Sequence, residues 1–95
     1  MHFSIEFNEE KNILLRETRK VCFDDVVEVV KNGKVLGNLE HHRPKYSRQK
    51  ILVVEIRKYV YAVPYVIDKR KGAIFLKTVY PSRVLTEKYL GEKRK

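Results

Sequence analysis

The sequence predicts an α+β domain, an antiparallel sheet of four to five strands with two helices before it and one after. Three observations predict it. Two helical stripes occupy the first third of the chain. Alternating apolar runs joined by short turns then fill most of residues 35–80. A serine-capped segment closes the chain. Three strands following one another through tight turns make a meander rather than a doubly wound sheet.

The elements follow in order. Phe3, Ile5 and Phe7 alternate with Ser4 and Glu6, the pattern of a half-buried strand. Asn8 offers an N-cap, and Glu9 and Glu10 follow where carboxylates suit the helix dipole. A helix from Glu9 to Thr18 is expected to bury Ile13, Leu14 and Leu15. Phe23, Val26, Val27 and Val30 fall at i, i+3, i+4 and i+7, with Asp24, Asp25 and Glu28 on the wet side. Gly33 is placed to stop that second helix in the left-handed conformation.

From Lys34 the period becomes two. Val35 to Glu40 reads as a short strand and His41 to Gln49 as a polar loop. Ile51 to Ile56 reads as a strand, closed by Arg57-Lys58 into Tyr59 to Ile67. On that strand Tyr59, Tyr61, Val63, Tyr65 and Ile67 share one face, and Pro64 suits an edge or a bulge. Asp68 to Gly72 is a charged turn before a strand from Ala73 to Tyr80. Ser82 caps a last helix from Arg83 to Leu90. The expected order is β-α-α-β-β-β-β-α, with the helices packed on one face.

Ninety-five residues bound the chain to one domain, residues 1–95, with one modest core. The single cysteine, Cys22, excludes an intrachain disulfide and reads as a small buried filler. No apolar run precedes a signal-type cleavage site, and none approaches the ~20 residues of a membrane span. The expected location is cytoplasmic, with no membrane partner.

The formal net charge is +9, and it is unevenly placed. Residues 1–40 carry six Lys/Arg against eight Asp/Glu; residues 41–95 carry fifteen against four. A folded chain with that excess presents a basic face, which attracts polyanions through phosphate contacts and counterion release. The plainer alternative is a solubilising surface.

Cys22, His2, His41 and His42 lack the paired spacing of zinc sites, and the four glycines are scattered, so no metal or other cofactor is expected. Two groups of residues suit RNA instead. In the loop, His41 titrates near neutrality and is a candidate acid or base. Tyr46 is a candidate for stacking on a base or for proton transfer, and Arg43, Lys45, Arg48 and Lys50 for holding phosphates. The plainer alternative is a solvated loop. The second group is Lys77, Thr78, Ser82 and Arg83. Lys77 is expected to share a strand face with Phe75 and Val79, so its charge must snorkel outward or meet an anion. Arg83 lies in the first turn of a helix, where carboxylates are favoured, which points to an anion held jointly with the free N–H groups beside Ser82. Here the alternatives are an ordinary surface lysine and a salt-bridged arginine.

RNA cleavage by attack of the substrate 2′-hydroxyl needs three services. One group removes a proton, another holds the charge on phosphorus, and a third protonates the leaving oxygen. Histidine, lysine, tyrosine and arginine, all in the basic half, supply these chemistries.

Three segments carry a family resemblance: Phe7-Asn8-Glu9-Glu10-Lys11-Asn12, Cys22-Phe23-Asp24-Asp25-Val26, and Leu76-Lys77-Thr78-Val79-Tyr80-Pro81-Ser82-Arg83, followed by Glu87, Lys88 and Tyr89. Together they resemble the BrnT family of bacterial toxins, within the RelE/ParE-like group. The resemblance spans nearly the whole chain through short motifs. It implies a RelE/BrnT-like fold and the toxin of a type II toxin–antitoxin pair. It also implies a ribonuclease acting on mRNA, free or on the ribosome, with an acidic or DNA-binding antitoxin as partner. Arg83 matches the arginine before the family's last helix, and Lys77 a basic position on the preceding strand. Two stretches depart from the pattern. Arg19-Lys20-Val21 stands where the family has Lys-His-Gly, and Arg48-Gln49-Lys50 is the nearest counterpart of its Gly-Glu-x-Arg stretch. A non-catalytic RNA- or DNA-binding module and a protein-interaction module share the basic face and remain the competing functions.

Overall fold

The computed structural model describes residues 4–40 and 49–91. Residues Ser4–Glu6 form strand β1. The Asn8 side chain then accepts from the Lys11 amide at 2.9 Å and starts helix α1, Glu9–Arg19. Helix α2, Phe23–Lys31, begins at Cys22, whose backbone N–H donates to the Asp25 carboxylate at 3.0 Å. Gly33, at φ +66°, ends it as expected. The strands are β2 Val35–Glu40, β3 Lys50–Ile56, β4 Tyr59–Asp68, β5 Ala73–Leu76 and β6 Tyr80–Pro81, and helix α3 spans Arg83–Leu90.

Across the sheet the order is β1-β5-β4-β3-β2, with β6 continuing beside β4 beyond the end of β5. The sheet is mostly antiparallel; its one parallel pair among the described strands is β1 with β5, Ile5 opposite Ile74. The chain therefore leaves one edge at β1 and re-enters at the other edge with β2, so α1 and α2 must cross a face of the sheet between them. That crossing buries Phe23 and Val26 of α2 and Leu15 of α1 against Leu52, Val54, Val63, Leu76 and Val79.

Helix α3 takes the other face. Its Leu90 packs with Val53 and Val60, joined by half-buried Leu36, Leu39, Leu85 and Tyr89. Helices on both faces correct the expectation of one. The meander leaves β4 central and β6 feeds straight into α3, so the last helix must cover the face the first two leave open. Buried Thr86 fixes it there: its Oγ1 accepts from the Val60 amide at 3.0 Å and donates to the Ser82 carbonyl at 2.7 Å. Gly37 allows the close approach, since a Cβ there would sit 2.7 Å from the Tyr89 hydroxyl.

Three further expectations change. Ile13 and Leu14 are exposed, at 53% and 58%, while Asn12 is buried. The Asn12 Oδ1 accepts from the Phe23 amide at 2.7 Å and its Nδ2 donates to Asp24 at 3.1 Å. This amide therefore satisfies a free N–H at the start of α2 and sets how α1 is rotated. The strand expected from Ala73 to Tyr80 is two strands, because Lys77 to Val79 leave the ladder. Pro64 lies opposite that break, in the central strand rather than at an edge. Its carbonyl accepts from the Lys77 amide at 2.8 Å, and its missing N–H faces the same gap, where no ladder bond is needed.

The β3–β4 hairpin turns through Arg57 and Lys58 alone, with Ile56 opposite Tyr59. Both carry positive φ, +51° and +69°, as does Lys20 at the end of α1, +57°. Such a backbone costs a non-glycine residue about 1–2 kcal/mol.

Candidate nucleic-acid interface

The residues on either side of β6 hold the best-placed candidates. Lys77 follows β5; its amide is tied to Pro64, its side chain is exposed, and its ammonium lies 5.6 Å from the centre of the Phe75 ring. Phe75 stands opposite Val66, on the α3 side of the sheet. Val79 does not share that side: it is fully buried in the core beneath α1 and α2. Breaking the strand after Leu76 undoes the alternation that placed Lys77 and Val79 together, and it frees the lysine from an apolar neighbour.

Ser82 starts α3. Its Oγ accepts from the Leu85 amide at 3.1 Å, and its own amide donates to the Val60 carbonyl at 3.0 Å. Arg83 follows in the first helical turn, its side chain 87% exposed and its Nε 3.7 Å from Glu87. An ion pair that open to water contributes little and leaves the guanidinium able to exchange partners. Lys77 and Arg83 thus bracket β6 as two exposed cations anchored through their neighbours to one strand, β4.

Lys50 is not with them. It begins β3, half-buried, opposite Glu40 and Tyr65. Tyr65 packs beneath α1 and α2, so Lys50 points to the opposite face from Phe75 and Lys77. His41, Arg43, Lys45, Tyr46 and Arg48 lie outside the described residues, as does His42. Among the described residues no group of three His, Cys, Asp or Glu side chains is arranged to hold a metal ion. The tyrosine row expected on β4 faces the core: Tyr65 is 4% exposed and donates to Asn38 at 2.8 Å, and Tyr59 meets Tyr61 edge-on at 5.9 Å.

A second set of cations gathers where the β3–β4 turn meets the end of α1. Arg57 donates to the Lys20 carbonyl and lies 3.5 Å from Asp25. Arg16 pairs with Asp24 at 2.8 Å, and the Cys22 sulfur 3.7 Å away, then Asp24, hold its pKa above the usual arginine value. Arg19 donates to the Val79 carbonyl at 2.7 Å. Sequence reasoning misses this set because Lys20 and Arg57 are 37 residues apart in the chain. One local signal does mark it: a two-residue hairpin turn with neither glycine nor asparagine is unusual.

No protein-family model matches the chain, and no curated protein matches it. Among solved structures, the crystal structure of the isolated E. coli RelE toxin is similar, with 21% identity over 98% of both chains and a TM-score of 0.45.

Proposed function

We propose that this chain is a metal-independent endoribonuclease that cuts mRNA, free or on the ribosome, as the toxin of a type II toxin–antitoxin pair in the cytoplasm. The observation that carries this reading is the placement of Lys77 and Arg83. Two exposed cations flank one short strand, in a half of the chain with fifteen Lys/Arg against four Asp/Glu. The BrnT-like segments at both ends of the chain support the toxin role, and with it an antitoxin partner.

The chemistry divides as follows. The substrate 2′-oxygen attacks the adjacent phosphorus and the bond to the 5′-oxygen breaks. Arg83, with a planar fork of donors, and Lys77, as a point charge, hold the additional negative charge on the phosphoryl oxygens. His41 takes or returns the proton, and Tyr46 stacks on a base or serves the leaving oxygen. Arg43, Lys45 and Arg48, with the Ser82 hydroxyl, hold the flanking chain, while Lys50, on the opposite face of the sheet, is left out of this set.

Expression is expected to arrest growth, and co-expression of the adjacent gene to relieve the arrest. Arg83→Ala is expected to abolish the arrest while changing stability by less than about 0.5 kcal/mol, because the side chain it removes is exposed. An Arg83→Ala variant that still arrests growth fully would reject the assignment. Incubating the purified chain with labelled RNA and EDTA tests the reaction itself. Fragments are expected; RNA that is retarded but intact would favour a non-catalytic binding module.

A further inference from the structure

The described residues contain three non-glycine positions with positive φ: Lys20, Arg57 and Lys58. All three are cations, and they meet in space, since the Arg57 guanidinium donates to the Lys20 carbonyl. Each position belongs to a class that glycine or asparagine fills with less strain. Lys20 ends a helix, and Arg57 and Lys58 form a two-residue hairpin turn whose favoured sequence is Asn-Gly. Retaining a long basic side chain at three such positions sacrifices backbone ease for charge.

The two arginines nearest the acidic start of α2 are balanced: Arg16 pairs with Asp24, and Arg57 lies against Asp25 and lines one cleft with Glu28 and Glu55. Among the described residues Lys20 and Lys58 have no carboxylate within ion-pair distance, and both side chains are exposed. The turn stands at one end of the sheet, with α1 on one face. On the other face the start of α3 joins β4 at Val60, two residues beyond Lys58. The first residues of α3 and the β3–β4 turn are therefore tied to the same end of β4.

We infer that Lys20 and Lys58 form a phosphate-backbone contact for single-stranded RNA at the β3–β4 turn, separate from the residues around β6 and feeding the strand toward Arg83. This deepens, and rests on, the RNA-binding reading above. Backbone contacts of this kind position a chain without reading its bases.

The test uses the full chain and a labelled 2′-O-methyl RNA of mixed sequence, which binds but has no 2′-hydroxyl to attack. The double variant Lys20→Gly/Lys58→Gly removes two charges and relieves two strained positions together. Its melting temperature is expected to equal or exceed the parent's. Its affinity is expected to fall about tenfold at 0.1 M salt. The slope of log K against log salt is expected to become shallower by about 1.4, near 0.7 for each phosphate left without its lysine. Lys69→Ala/Lys88→Ala, which removes two exposed lysines elsewhere, is expected to change both far less. If the parent binds and the glycine variant binds equally well, the contact is rejected while RNA binding stands. An equal fall in the control would reject it too, by showing only a net-charge effect. A lower melting temperature would reject the premise that these cations are held against the backbone's preference. A parent that binds no RNA would end both the contact and the functional reading.

Discussion

Beneath α1 and α2 the sheet buries eleven of the described side chains in one cluster; beneath α3 it buries three in the corresponding cluster. The first cluster includes Phe23, Val26, Val54, Val63 and Val79, all without solvent contact. The second is completed by half-buried Leu36, Leu39, Leu85 and Tyr89. The difference teaches where stability and chemistry are divided. One face is a closed core that holds the strands in register. The other is a thinner layer, and the exposed Lys77 and Arg83 lie on its side of the sheet. A short helix held by few apolar contacts and by the Thr86 hydroxyl is the less protected element.

Substitutions can break or sharpen that contrast. The largest expected effect is Phe23→Ala, which empties the centre of the thicker core and removes the ring stacked on Phe7 at 5.0 Å. A loss of about 3–5 kcal/mol is expected in denaturant unfolding. Leu90→Ala removes a side chain 5% exposed from the thinner cluster and is expected to cost about 2 kcal/mol, the low end for such a change. If both variants were destabilised equally, the two faces would be energetically alike and the contrast would fail.

Asn12→Ala separates packing from hydrogen bonding within the thicker core. It leaves the Phe23 amide without its acceptor, and a loss of about 1–3 kcal/mol is expected. Gly37→Ala pushes a methyl toward the Tyr89 hydroxyl, the movable tip of its side chain, and is expected to cost about 1–2 kcal/mol. Amide exchange should then quicken in α3 and not in α2; quickening in both would join the faces into one cooperative unit. The smallest effect belongs to Leu14→Gln. At 58% exposure it is expected to shift stability by less than about 0.5 kcal/mol, whereas a core role for Leu14 would make it cost several times more.

Much of the fold is legible along the chain. Asn8, Gly33 and Ser82 mark helix ends through chemistry within three residues of themselves, and the structure uses all three. The second helical stripe places Phe23 and Val26 inside because spacing alone sets which residues share a helix face. The rotation of α1 is not legible. Ile13 and Leu14 are apolar, yet the amide of Asn12 has a partner eleven residues away that no local pattern announces. The candidate site is legible as a composition and only partly as a place. Ser82 and Arg83 fall where the cap puts them. Lys77 and Val79 separate because Pro64, on another strand, opens the ladder beside them.

The sequence by itself determined the element types, the helix ends, the tyrosine face of β4 and the concentration of positive charge after residue 40. Tertiary structure alone decided that α3 lies across the sheet from α1 and α2, that Lys50 and Lys77 face opposite ways, and that Lys20 meets the Arg57-Lys58 turn. The physical reason is range. Caps, periodicity and turn chemistry act over a few residues, whereas strand order and pairing register bring together groups tens of residues apart, whose contacts exist only once the sheet has formed.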